Sequence, residues 1–170
     1  MITQFHIAAA GDLIDRLRAE AVMLVSAESC TGGLISAVLT SISGSSDVVD
    51  RGLVTYSNQA KIDLLGVPEE TLERHGAVSK ETAIAMAEGA LAHTPAAGIS
   101  IAVTGIAGPG GGSPDKPVGL VHLAAARSHP TGSPVILHRE ARYGDIGRNE
   151  VRMATVMTAF EMVSDLLAAK

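Results

Sequence analysis

Apolar positions recur along the chain with two alternating periods. Ile7, Ala10, Leu13, Ile14, Leu17 and Ala21 fall three or four residues apart, the spacing of an amphipathic helix. "VMLVS" after it is short and uniformly apolar, which predicts a strand buried on both faces. Residues 30–41 return to a helical pattern. "RGLVTYS" (51–57) predicts a second strand, and "NQAKIDLLG" a helix stopped by Gly66. Pro68 opens a short helical turn ending near Gly76, and Ser79 is placed to cap a long helix over "KETAIAMAEGALAH". "GISIAVTG" predicts a third strand and "GIAGPGGGSPDKP" a loop. "VGLVHLAAA" and "VILHREARY" predict two more strands, antiparallel because their connection is short. A last helix runs from Asn149 to Ala168. Alternating helices and strands predict an α/β sandwich with a mixed sheet.

Composition narrows this picture. At 170 residues the chain suits one domain, expected over 1–170, with one substantial core. Aromatic residues make up 2% and there is no tryptophan, so the core is built from Ala, Val, Ile, Leu and Met. The net charge of −5 and the lack of a basic cluster argue against nucleic acid as a partner. One cysteine cannot form an internal disulfide, which fits a reducing cytoplasm. No apolar run is long enough to span a membrane, and the N-terminus lacks the pattern of a signal peptide.

In an open α/β sheet, ligands gather at the carboxyl ends of the parallel strands. Three segments are expected to meet there: "SAESCTGG", "TYSNQAK" and "TGIAGPGGG". In the first, a helix starting near Cys30 puts Ser29 at its N-cap, beside free first-turn amides able to hold an anion. Ser29 is then either a plain cap or a nucleophile with an oxyanion site. Gly32 and Gly33 let a ligand approach the backbone. Glu28 orients either a lysine or a backbone amide. Cys30 is either a thiolate nucleophile or, preferably, a small buried packing residue.

A serine nucleophile needs a base. The six histidines lie outside the three segments, and none forms an HExxH-like pairing, which also argues against a zinc site. Lys61, in the first turn of the helix beginning near Asn58, is the alternative. Burial and the positive helix end disfavour its ammonium form; otherwise it is a solvated surface lysine. The third segment, with Thr104, Gly105 and Gly108, matches neither a P-loop nor a dinucleotide-binding pattern. It is either a flexible connection or a substrate-covering loop whose amides bind a phosphate or carbonyl.

Together, "AESCTGGLIS", "GSSDVVDRGLVTYSNQAKIDLLGV", "HGAVSKETAIAMAEGA" and "TGIAGPGGGSPDKPVG" closely resemble the CinA C-terminal family, also called nicotinamide-nucleotide amidohydrolase. The likeness runs from about Val25 to Gly119, and more weakly through "YGDIGRNEVR" to the last helix. It implies a three-layer α/β/α sandwich with a mixed, mostly parallel sheet. It also implies metal-independent hydrolysis of the carboxamide of nicotinamide mononucleotide to nicotinate mononucleotide and ammonia, in pyridine nucleotide recycling, without a cofactor. By the resemblance Ser29 is the nucleophile and Lys61 the general base. Tyr56 falls in the same signature, as a partner of the serine–lysine pair, a stacking platform for the pyridine, or a strand-packing residue. Cys30, Thr31, Gly32, Gly33, Thr104, Gly105 and Gly108 fall where the pocket is expected. Arg148, in the weaker stretch, is a candidate phosphate contact. Some relatives carry a large molybdopterin-binding-like domain with pyrophosphatase activity, of which no counterpart is expected in these 170 residues. A cytoplasmic homo-oligomer with a small nucleotide substrate is expected. The competing reading is a non-catalytic nucleotide-binding or competence/damage-associated protein.

Overall fold

The structure, a computed structural model, describes residues 2–169. Strands β1 (Leu24–Glu28), β2 (Val49–Val54), β3 (Ile99–Gly105), β4 (Leu120–His129) and β5 (Gly132–Arg142) form one sheet in the order β2-β1-β3-β4-β5. Strand β1 pairs in parallel with both β2 and β3. The pairs β3–β4 and β4–β5 are antiparallel. Four strands thus point one way and only β4 runs against them, which is the mixed, mostly parallel sheet of an α/β/α sandwich.

The helices are α1 (Gln4–Ala19), α2 (Leu34–Thr40), α3 (Asn58–Leu65), α4 (Glu69–His75), α5 (Lys80–Ala92) and α6 (Arg148–Ala168). Alternation along the strands divides the core in two. Ile99, Ile101 and Val103 turn to one face, where they meet Leu13, Leu17, Ile35, Phe160 and Val163 of α1, α2 and α6. Val25, Ala27, Ala102 and Ala124 turn to the other, under Leu65, Leu72 and Met86 of α3, α4 and α5. The second face is built largely from alanine, so α5 lies close on the sheet. Its Gly89 passes so near α3 that a Cβ there would sit 1.9 Å from the Leu65 carbonyl oxygen.

Local signals work where the backbone needs them. Ser57 Oγ accepts from the Ala60 amide at 3.0 Å and caps α3. Ser79 Oγ accepts from the Thr82 amide at 3.1 Å and caps α5. Gly66 ends α3 in the left-handed conformation, φ +65°. Three boundaries differ from expectation. Strand β2 runs over 49–54 rather than 51–57, because Thr55–Ser57 turn away to start α3. Strands β4 and β5 extend further, leaving a tight connection at Pro130–Thr131. The helix expected over 30–41 starts only at Leu34, with Gly33 (φ +92°) before it, so Ser29 is not its N-cap.

Candidate active site

That late start is caused by Glu28, the last residue of β1. Its fully buried carboxylate accepts from the Ile35 amide at 3.0 Å and the Ser36 amide at 2.9 Å. It therefore caps α2 from the strand. Three hydroxyls complete its shell: Thr31 Oγ1 at 2.7 Å, Ser36 Oγ at 2.8 Å and Ser26 Oγ at 3.2 Å. Of the two roles open to Glu28, the structure has it bind backbone amides, with no bond to a lysine. The neighbouring strand must leave room: a Cβ at Gly52 would stand 1.8 Å from Ser36 Oγ.

Residues 29–33 then form tight turns rather than a helix. Ser29 stays anchored to the sheet, its amide donating to the Val103 carbonyl at 3.1 Å. The Gly32 amide donates to the Ser29 carbonyl at 3.1 Å. The Cys30 amide donates to no oxygen of the described residues. The N-terminus of α2 is occupied by Glu28, so any anion at this corner is met by turn amides and not by a free helix end.

Lys61 is the fourth residue of α3 and closes its first turn. Long helical side chains lean toward the N-terminus of their helix, which aims this one back at the ends of β1 and β2. Only 1% of the residue is exposed. Its Nζ lies 3.1 Å from Ser29 Oγ, 2.9 Å from the Thr55 carbonyl oxygen and 3.3 Å from the Tyr56 carbonyl oxygen. No carboxylate pairs with it among the described residues. Burial pushes its pKa below the ordinary lysine value of 10.5, against a smaller opposing pull from Cys30. The three contacts suit either protonation state. The ammonium donates to all three oxygens. The free amine donates to the two carbonyls and turns its lone pair to the Ser29 hydroxyl.

Ser29 and Lys61 open into a cleft of about 210 Å³, whose wall also includes Cys30, Tyr56, Thr104, Gly105 and Arg148. All three expected segments contribute. None of the six histidines lines it. Among the described residues no group of three or more His, Cys, Asp or Glu side chains is set to hold a metal ion. Burial pushes the Cys30 thiol up to about 12, which keeps it protonated and suits a packing residue. Thr104 Oγ1 donates to the Ala77 carbonyl at 2.7 Å and ties β3 to the loop before α5. Tyr56 is 61% exposed, so strand packing does not describe it. Its hydroxyl accepts from Arg148 Nη2 at 3.1 Å, and only its backbone carbonyl meets Lys61. Arg148 Nη1 donates to the Gly108 carbonyl at 2.8 Å.

Four expected pocket residues are not on the cleft wall. Thr31 is fully buried and turned to Glu28. Gly32 and Gly33 have φ of +59° and +92°, a conformation the turn requires and glycine supplies. Gly108 supports the wall through its carbonyl contact with Arg148. Conversely Ala77, Val78 and Ala107 line the cleft without having been singled out. The segment "HGAVSKETAIAMAEGA" held the signal for the first two. Arg152 ends the weaker stretch "YGDIGRNEVR", from which only Arg148 was taken as a contact.

The fold and this corner define an α/β/α protein with a buried serine–lysine pair at the carboxyl edge of its sheet. A sequence model of the CinA C-terminal domain matches residues 7–167, and the chain belongs to that family. It is 53% identical over 142 residues, 84% of its length, to a putative competence-damage inducible protein of Acetivibrio thermocellus. It is 49% identical over 152 residues to a CinA-like protein of Synechococcus sp.. The chain spans about a third of the length of these curated relatives, 33% and 35%. The crystal structure of the competence/damage inducible protein CihA from Agrobacterium tumefaciens is similar over 98% of both chains, with a TM-score of 0.91 and 53% identity. A CinA superfamily protein from Klebsiella pneumoniae is similar over 97% of this chain and 99% of its own, with a TM-score of 0.89 and 32% identity.

Proposed function

We propose that this chain is an amidase that hydrolyses the carboxamide of nicotinamide mononucleotide to nicotinate mononucleotide and ammonia, in pyridine nucleotide recycling. One observation carries the reading: a buried lysine with no anionic partner among the described residues lies 3.1 Å from a serine hydroxyl at the mouth of a cleft. A purely structural lysine in that position would be expected to have a carboxylate.

The neutral amine of Lys61 takes the Ser29 proton as Oγ attacks the carboxamide carbon. The carbonyl oxygen becomes an oxyanion held by turn amides, first that of Cys30, which directly follows the nucleophile. The Lys61 ammonium returns a proton to the amide nitrogen, the C–N bond breaks and ammonia leaves. Lys61 then takes a proton from water, whose oxygen attacks the acyl carbon. The Ser29 ester bond breaks, Oγ recovers the proton, and nicotinate mononucleotide departs. The Thr55 and Tyr56 carbonyls hold Nζ in place throughout. Arg148, exposed at the rim and bonded to the Tyr56 hydroxyl, is the cation offered to the substrate's phosphate. The reading takes residues 1–170 as one amidohydrolase domain, cytoplasmic and self-associating, with a nucleotide as its small-molecule partner.

The test is ammonia release from nicotinamide mononucleotide with chelator present, comparing wild type, Ser29→Ala and Lys61→Arg. Release by the wild type alone is expected, because a guanidinium does not give up its proton. Substantial release by Lys61→Arg removes the general base. Binding of the nucleotide by a folded wild type that releases no ammonia replaces the amidase with a nucleotide-binding module.

A further inference from the structure

Arg152 lies one helical turn after Arg148 on α6 and is not on the cleft wall. Its Nη2 donates to the Thr31 carbonyl at 2.7 Å, across 121 residues of chain. Its Nε is buried with no partner, and no carboxylate pairs with the guanidinium among the described residues. A partly buried cation with one short bond to a backbone carbonyl is costly to keep for packing alone. The bond falls on a particular peptide group. The Thr31 carbonyl shares its peptide with the Gly32 amide, which donates to the Ser29 carbonyl at 3.1 Å. The Ser29 carbonyl in turn shares its peptide with the Cys30 amide.

We infer that Arg152 is a positioning residue that polarises the Cys30 amide, the oxyanion donor of the proposed amidase, through the Thr31–Gly32 and Ser29–Cys30 peptide groups. A cation on a carbonyl oxygen draws electron density from the amide nitrogen of the same peptide and makes its N–H a better donor. Two peptide groups in series carry the effect from Thr31 to the residue after the nucleophile. The same bond fixes the turn, so the Cys30 amide is oriented before substrate arrives. The inference rests on the amidase reading for its oxyanion, but the relay itself is present without substrate.

The experiment has two readouts on Arg152→Gln and Arg152→Lys. The first is the backbone ¹H and ¹⁵N resonances of Gly32 and Cys30 in the substrate-free protein. The second is kcat and KM for ammonia release. Arg152→Gln is expected to move both resonances and to lower kcat about ten- to a hundredfold with KM nearly unchanged. Arg152→Lys, which keeps the charge and one donor, is expected to lie between it and the wild type in both. Should Arg152→Gln not fold, Arg152→Lys alone decides: movement of the two resonances supports the relay, and its absence overturns it. Unmoved Gly32 and Cys30 resonances in a folded variant overturn the relay, whatever happens to kcat. A drop in melting temperature at wild-type kcat also overturns it, leaving Arg152 a structural clamp. A wild type that releases no ammonia overturns the amidase reading instead, while the resonances still judge the relay.

Discussion

Two buried ionisable groups stand at the same edge of the sheet, and they are treated in opposite ways. Glu28 accepts from five donors, two of them amides of the helix it caps. Lys61 has two backbone carbonyls and one hydroxyl, and no opposite charge among the described residues. Saturating a buried charge with donors makes it part of the framework. Leaving a buried base short of anionic partners keeps its neutral form within reach. The first arrangement holds the turn that bears Ser29; the second sets an amine of lowered pKa 3.1 Å from Ser29 Oγ, where the proposed amidase needs its base.

Breaking the lysine side of this contrast has the largest expected effect on chemistry. Lys61→Met is expected to lower ammonia release by about a thousandfold or more. It is also expected to leave chemical-denaturation stability unchanged or raised, because an apolar side chain replaces a poorly compensated buried base. A large loss of stability in Lys61→Met would mean that the lysine is structural. On the other side, Glu28→Ala leaves five donors without their acceptor. We expect a loss of about 3 kcal/mol or more in denaturant unfolding, read against a milder loss in Thr31→Val, which removes one of the five.

pH sharpens the comparison next. The folded-state pKa of Lys61 lies below 10.5, so between the two values the unfolded chain binds more protons than the native one. Stability therefore rises with pH across that window, and the penalty is fully present below the folded pKa. The wild type should gain on Lys61→Met as pH climbs toward 10.5. The ascending limb of kcat/KM should follow the same group, with its midpoint below 10.5. A stability difference flat with pH would leave Lys61 with an ordinary pKa.

The smallest effect is expected at Cys30, which shares the corner but neither role. Its thiol, held near 12, should react only slowly with iodoacetamide at pH 8. Cys30→Ala should keep ammonia release within about tenfold of wild type and cost about 1 kcal/mol of stability. Rapid alkylation with loss of activity would reopen the cysteine as nucleophile.

Much of this was legible in the chain. Apolar spacing from Ile7 to Leu17, Ser79 and Gly66 all act through bonds or packing a few residues away. Nearby sequence therefore determines them, and with them the order of helices and strands and the placing of Lys61 in a first helical turn. The resemblance carried by the motif segments pointed to the family. What sequence spacing could not decide was which groups lack partners. That Lys61 is buried, with no carboxylate beside it among the described residues, depends on α3 packing against strand ends from elsewhere in the chain. The start of α2 at Leu34 depends on a glutamate in the preceding strand taking its amides, against a local pattern that favoured Cys30. The cleft's Ala77 and Val78, and the reach of Arg148 and Arg152 across 40 and 121 residues, exist only after α5 and α6 close on the sheet. Local hydrogen bonds are encoded by neighbours; desolvation and charge pairing are set by everything that packs around a group, so only the tertiary structure decides them.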